Sequence, residues 1–157
     1  MNRKVFFVVI IGLIYLYRCF NSNEEKDTYQ KIEKLVQKAQ SFEGVGYRAG
    51  GTTKKGMDCS RLVTTTFKSL DIKLPRSSAG MSTIGTEIPL DKIEKGDLLF
   101  FNIDRLKGNI NHVGLVTSIE DEVLFIHSTT SKGVIYSSLN ENYWKDSFVI
   151  AKRIITH

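Results

Sequence analysis

Three side chains of this sequence have the types and spacing that a nucleophilic mechanism requires. Cys59 lies in Asp58-Cys59-Ser60, between a glycine-rich segment and an apolar segment of helical periodicity, and His112 and His127 follow in strand-like sequence. A thiol served by an imidazole base is the arrangement of a cysteine nucleophile. If Cys59 opens a helix, the unpaired N–H groups there stabilise its thiolate and offer an oxyanion hole. The pattern predicts Cys59 as nucleophile and His112 as its base.

The second histidine lies fifteen residues after the first, which suggests the two ends of a β-hairpin. If that hairpin turns on Glu120-Asp121, Gly114 pairs with His127, and His112 becomes a diagonal neighbour of His127 on the same face. Gly114 would then leave room for the ring of His127. We expect His127 to orient His112 as the third member of a triad. The alternative is a half-buried strand histidine without a catalytic role.

The same residues allow two other kinds of site. Cys59, His112 and His127 are potential zinc ligands, but no Cys-x-x-Cys or His-x-x-x-His spacing accompanies them, so we predict no metal and no cofactor. A disulfide to Cys19, the second cysteine, is the other alternative. Because Cys19 lies at the junction of an N-terminal leader, we expect Cys59 to stay a lone thiol available for catalysis.

The elements that must position these residues are helices first and strands afterwards. A helix is predicted over 28–42, a glycine-rich loop over 43–57, and a second helix over about 60–70 with Asp58 as its N-cap and Leu62, Val63 and Phe67 facing the core. Five segments rich in β-branched and aromatic residues follow: 98–102, 112–119, 123–128, 134–139 and 148–155. This order predicts an α+β domain with N-terminal helices packed on an antiparallel sheet of about five to six strands.

The first residues have the pattern of an exported protein. The basic Asn2-Arg3-Lys4 precedes an apolar stretch over 5–16, which is typical of a secretory leader and short for a membrane span. A buried core helix is the alternative. Cys19 stands where a lipoprotein carries its lipid, although an uncleaved anchor or cleavage nearby is also compatible with Arg18 before it. We divide the chain into a signal peptide or anchor (1–20), a polar tether (21–27) and a catalytic domain (28–157), located in the cell envelope.

The net charge excludes one class of partner. The formal charge of +5 falls to about +2 without residues 1–19, since these contain three basic residues and no acidic one. We therefore predict no nucleic-acid partner.

Together these residues resemble the NlpC-type cysteine peptidases, papain-like endopeptidases of bacterial cell walls. The resemblance covers about residues 45–154 and rests on six blocks in the family's order: Tyr47-Arg48-Ala49-Gly50-Gly51, Asp58-Cys59-Ser60, Leu74-Pro75-Arg76-Ser77-Ser78, Gly96-Asp97-Leu98-Leu99-Phe100-Phe101, His112-Val113-Gly114 and Phe125-Ile126-His127-Ser128. Each block alone is weak, whereas six in order make a specific signal. The resemblance implies a papain-like fold and the catalytic set Cys59, His112 and His127.

The resemblance also implies a substrate. Tyr47, Asp58 and Ser60 occupy positions that recognise the free amine of an L-Ala-γ-D-Glu stem peptide, and the implied reaction is hydrolysis between D-Glu and a diamino acid of peptidoglycan. Arg61 stands where glycine is common, so we expect its side chain to crowd or charge the cleft and alter specificity. Two alternatives stay open: a catalytically inactive wall-binding module, and an amidase or acyl transferase on the same fold.

Overall fold

A computed structural model describes the chain over residues 3–104 and 106–156, with side chains described from Ser22 onward. The two predicted helices and five predicted strands occur in the predicted order, and short elements that were not predicted lie between them, including a helix before the last strand. The bounds are α1 Arg3–Gln40, β1 Thr52–Thr53, β2 Gly56–Met57, α2 Cys59–Lys68, α3 Ser78–Met81, β3 Thr86–Ile88, a 3-10 turn Leu90–Lys92, β4 Leu98–Phe101, β5 His112–Ser118, β6 Leu124–Thr129, β7 Gly133–Ser138, α4 Asn142–Ser147 and β8 Phe148–Arg153.

Six antiparallel strands form the main sheet, in the order β3-β8-β4-β5-β6-β7. This confirms the α+β class and the expected number of strands. All five predicted strands are present within one or two residues of their expected ends. The sixth, β3, was not predicted, because it has three residues and pairs only with β8 at one edge of the sheet.

The core lies on both faces of β4, whose four residues are all buried. Alternate side chains of a strand point to opposite faces, so Leu98 and Phe100 face the helices while Leu99 and Phe101 face the other side. The first face packs against α1 and against the predicted apolar stripe Leu62, Val63 and Phe67 of α2. The second face is covered by Trp144 of α4. This two-sided packing fixes the end of α2 over the middle of the sheet.

The N-terminal helix differs from its prediction. It begins well before residue 28, and the segment over 22–27, expected to be part of a tether, continues α1 with all six of its residues exposed. Among the residues whose side chains are described, no helix is long and apolar enough to cross a membrane. The predicted leader side chains and Cys19 lie outside the described residues, so the three-part division of the chain stays a proposal.

The β5–β6 hairpin has the predicted register in its middle and a different turn. Leu115 pairs with Ile126 and Val116 with Phe125, as the proposed pairing requires, but the register shifts before Ser118. The predicted two-residue turn is therefore wrong, and the connection is longer. The role expected for Gly114 is also wrong, because a Cβ there would lie 2.5 Å from Cδ2 of Phe125, so the missing side chain accommodates Phe125 instead of His127.

Candidate active site

Cys59 is the first residue of α2, and the predicted N-cap holds it there. Oδ1 of Asp58 accepts a hydrogen bond from the backbone N–H of Arg61 at 2.8 Å. Burial raises the pKa of the Cys59 thiol, the N–H of Val113 opposes that shift by donating to the sulfur, and the charge of Asp58 raises the pKa further. Because the net direction is upward, the resting sulfur is a thiol, and its activation requires a base that removes the proton.

The two predicted histidines are in direct contact. Nε2 of His112, at the start of β5, lies 2.9 Å from Nδ1 of His127 on β6, and both rings are buried. On the far side of His127, Nε2 lies 3.1 Å from Oγ of Ser137 on β7. Three neighbouring strands therefore align His112, His127 and Ser137 in one buried row, which we call the histidine row.

The charge state of His127 follows from its surroundings. Burial, followed by the nearby His112, lowers the pKa of His127 from 6.5 to about 3, so this ring is neutral at physiological pH. A neutral imidazole carries one N–H and one bare nitrogen. If Nε2–H donates to Ser137, Nδ1 is the bare nitrogen and accepts from Nε2–H of His112. His112 then holds its proton on Nε2, which leaves Nδ1 as its basic nitrogen.

Aromatic rings enclose the histidine row. Trp144 is stacked on His112, with ring centroids 5.4 Å apart and planes at 25°, and it meets His127 edge-on at 4.5 Å. Phe125 lies 4.8 Å from His127 on another side. These rings keep water from the two imidazoles and restrict their rotation.

The cleft above this row has a volume of about 300 Å³. Of the predicted site residues, it brings together Tyr47, Cys59 and His112. The other lining residues are Ile103, Leu106, Lys107, Asn111, Ser128, Thr129, Thr130 and Trp144. His127 lies behind His112. Asp58, Ser60 and Arg61 are not among the lining residues, so the expectation that the Arg61 side chain would enter the cleft finds no support here.

Asp58 and Ser60 belong to a polar cluster beside the cleft, which we call the Asp58 cluster. Oδ1 of Asp58 accepts from Oγ of Ser60 at 2.8 Å, and Oδ2 accepts from the N–H of Gly50 at 2.7 Å. Arg76 donates to both residues, to Oγ of Ser60 at 2.6 Å and to Oδ2 of Asp58 at 3.2 Å. Burial alone would raise the pKa of Asp58, but these hydrogen bonds and the charge of Arg76 hold it below its ordinary value. The carboxylate is therefore ionised.

Tyr47 connects this cluster to the cleft. Partial burial and the acidic groups of Asp58 and Cys59 raise the pKa of its phenol, so the hydroxyl keeps its proton and can donate a hydrogen bond.

Sequence reasoning missed three residues of the site. Arg76 belongs to one of the six family blocks, but its contact with Asp58 was not predicted. Trp144 is the single tryptophan of the chain, and no role was predicted for it. Ser137 lies in the predicted strand over 134–139, in which successive side chains point to opposite faces. Strand alternation was the available signal for Ser137, although it does not say which strand lies next to β6.

An α+β domain in which a helix opens with a cysteine over a histidine-bearing antiparallel sheet belongs to the papain-like class of hydrolase folds. A solved structure of an NlpC/P60 family protein from Bacillus cereus matches with a TM-score of 0.71 and 32% identity, covering 80% of this chain and 40% of that one. The NlpC/P60 family model matches residues 44–153, and the chain belongs to this family.

Curated relatives are peptidases. The chain is 40% identical over 129 residues to "Probable endopeptidase NlpC" of Escherichia coli K12, covering 82% of this chain and 81% of that protein. It is 36% identical to the E. coli "Murein DD-endopeptidase MepS/Murein LD-carboxypeptidase", over 78% of this chain and 63% of the relative. It is 32% identical to the Bacillus subtilis "Gamma-D-glutamyl-L-lysine dipeptidyl-peptidase", over 77% and 40%. The present chain is a peptidase of this family.

Proposed function

We propose that the protein is a peptidoglycan endopeptidase that hydrolyses the bond between γ-D-Glu and a diamino acid through Cys59, His112 and His127. The observation that carries this proposal is the 2.9 Å contact between the two imidazoles, with His112 and Cys59 lining one cleft. This contact gives the base an orienting partner, which separates a working triad from three unrelated residues.

The first step is attack by Cys59. Since Nε2 of His112 faces His127, removal of the thiol proton is assigned to Nδ1 of His112. The sulfur adds to the amide carbonyl, and N–H groups at the start of α2 stabilise the oxyanion. His112 then protonates the leaving amine, and water releases the acyl group from Cys59. The face of Trp144 stabilises the imidazolium that forms on His112.

Ser137 acts as a positioning residue in this scheme. In this scheme its hydroxyl accepts the N–H of His127, and the bare Nδ1 of His127 then receives the proton of His112. Without that acceptor the free-energy difference between the two tautomers of His127 becomes smaller, and the orientation of His112 is less well fixed.

Substrate recognition is assigned to Tyr47, Asp58 and Ser60. An ionised carboxylate beside a tyrosine hydroxyl suits the free amine of an L-Ala-γ-D-Glu peptide. The same carboxylate already accepts four hydrogen bonds, one of them from Arg76, so the amine shares it with a guanidinium. Arg61 contributes to the site through its backbone N–H and not from within the cleft.

A wall substrate places the protein in the cell envelope, either as an exported protein or held at a membrane by residues 1–20. Lipid attachment at Cys19 and the tether over 21–27 belong to the same proposal. They predict that the protein is found in membrane fractions and that Cys19→Ala releases it.

The test compares the purified full chain with Cys59→Ala on L-Ala-γ-D-Glu-diaminopimelate, with products identified by mass spectrometry. Release of L-Ala-D-Glu by the wild type alone supports the bond and the nucleophile together. Cleavage by both proteins excludes Cys59 as nucleophile. Cleavage by neither, on this peptide and on intact sacculi, contradicts the proposal and favours the binding-module alternative.

A different bond is the second candidate. It is favoured by the 36% identity to MepS, which is named for DD-endopeptidase and LD-carboxypeptidase activities. Incubation with crosslinked muropeptides distinguishes the two, because DD cleavage separates the crosslinked stems whereas γ-D-Glu cleavage releases the dipeptide. An added amine that captures the acyl group would identify a transferase.

A further inference from the structure

One wall of the cleft is formed by residues 103–104 and 106–110, which we call the cleft loop. Its backbone is organised by the side chain of Asn111. Oδ1 of Asn111 accepts from the N–H of Ile103 at 2.8 Å, and Nδ2 donates to the carbonyls of Ile103, Leu106 and Gly108 at 3.0–3.4 Å, and to Oδ1 of Asn102 at 3.1 Å. These hydrogen bonds of the half-buried Asn111 connect the described residues of the loop, most of which are exposed.

The cleft loop places a cation beside the reacting groups. Lys107 lines the cleft together with Cys59 and His112. Among the described side chains that line it, Lys107 is the only lysine, arginine, aspartate or glutamate. In the part of the chain that the structure describes, Lys107 forms no ion pair, whereas the arginine beside the cleft, Arg76, is paired with Asp58. The described residues of the cleft therefore present one unpaired positive charge to a ligand.

The proposed substrate has a charge that matches it. A glutamate linked through its γ-carbonyl keeps its α-carboxylate, and this group lies three carbons from the carbonyl that Cys59 attacks. An ordinary α-linked peptide has no charged group fixed at that place. We infer that Lys107 is a subsite for a carboxylate that flanks the scissile amide, in first place the α-carboxylate of D-Glu. This inference rests on the proposed function.

A diamino acid such as diaminopimelate has a carboxylate on the other side of the same amide. Both sources offer the same chemistry to an ammonium group, so the test separates them. Four peptides are needed, each amidated at the C-terminal α-carboxyl that both diamino acids share: L-Ala-γ-D-Glu followed by diaminopimelate or by lysine, and the two corresponding peptides in which D-isoglutamine replaces D-Glu and removes its α-carboxylate.

The full chain, Lys107→Gln and the control Lys73→Gln are assayed on these peptides. Lys73 is exposed in a separate groove beyond the end of α2, so its replacement makes the same change of charge away from the cleft. We expect Lys107→Gln to lower kcat/KM on the D-Glu peptides about tenfold, mainly through KM, as the loss of one charge-assisted contact predicts. The D-isoglutamine peptides should be cleaved equally by Lys107→Gln and the wild type.

Each outcome decides one point. If the loss depends on diaminopimelate instead of D-Glu, the subsite exists and binds the diamino acid. If Lys107→Gln lowers cleavage of all four peptides equally, or of none, Lys107 does not recognise a carboxylate and the inference is wrong while the peptidase proposal stands. If the wild type cleaves none of the four, the proposed function fails and this inference fails with it.

Discussion

The two sides of the cleft differ in their access to water. On the sheet side, His112, His127 and Ser137 are buried under aromatic rings. On the helix side, the ion pair between Arg76 and Asp58 is open, with 48% of the arginine side chain exposed. Hydrogen bonds are strong and costly to leave unmade in a dry environment, whereas exposed charges are screened. The sheet side should therefore tolerate little change, and the helix side should be adjustable.

The largest effect is expected from the base itself. Replacing His112 by asparagine removes the group that accepts the thiol proton, and we expect kcat/KM to fall about 10²- to 10⁴-fold. The measurement is steady-state cleavage of the stem peptide, with thermal unfolding of the variant as the control for folding. If a folded His112→Asn variant kept activity within tenfold of the wild type, the assignment of the base would be wrong.

A second effect concerns pH and the buried His127. Its native pKa of about 3 lies below the ordinary 6.5, so between these values the unfolded chain binds a proton that the native protein does not. Acidification then favours unfolding, and the free energy of unfolding should fall by up to about 1.4 kcal/mol for each pH unit below 6.5.

The test for this effect is urea unfolding of the wild type and His127→Gln at several pH values from 7 down to 4. In the variant, the free energy of unfolding should decrease less steeply as the pH falls, whatever its stability at pH 7. Because Asp58 titrates in both proteins, its contribution cancels in the difference between the two curves, which reports His127 and its interaction with His112. Parallel curves would show that His127 is not held neutral by burial.

Ser137 should have a smaller effect that is still measurable in two ways. In the proposed tautomer, Ser137→Ala leaves the buried Nε2–H of His127 without its acceptor, which is expected to cost about 1–3 kcal/mol of stability. A role in selecting the tautomer further predicts a several-fold lower kcat and a shifted pH profile. Ser137→Thr keeps the hydroxyl and should restore kcat and the pH profile. A variant with lower stability and an unchanged kcat and pH profile would assign Ser137 to packing alone.

The two sides were also unequally predictable from the sequence. Cys59 and the N-cap Asp58 followed from local rules, because a cap precedes its helix in the chain. The contact between His112 and His127 followed from strand periodicity and an assumed hairpin. Its register was confirmed in the middle of the hairpin, although the assumed turn was wrong. The error did not matter for the contact, since the register shift lies beyond Val116, on the side away from the histidines.

Contacts between distant segments could not be predicted in the same way. Ser137 faces His127 because β7 lies beside β6, and Trp144 covers His112 because the short helix α4 packs on the second face of the sheet. Neither contact can be predicted from the periodicity of residues within a single helix or strand. Arg76 and Asp58 are eighteen residues apart in the sequence and form a hydrogen bond. The family blocks include both residues but do not predict that they are in contact. The elements were therefore predictable, whereas the partners of the site residues were not.

The smallest effect is expected on the helix side. Arg76→Gln breaks a half-exposed ion pair, and because solvent screens such pairs we expect stability to change by less than about 1 kcal/mol. Asp58→Ala should cost about 1–2 kcal/mol, because it also removes the N-cap of α2. Urea unfolding of both variants in low and high salt tests the difference. Only the small contribution of Arg76 should decrease with salt. If Arg76→Gln destabilised the protein as much as Ser137→Ala, the Asp58 cluster would contribute as much to stability as the histidine row. The contrast between the two sides would then not hold.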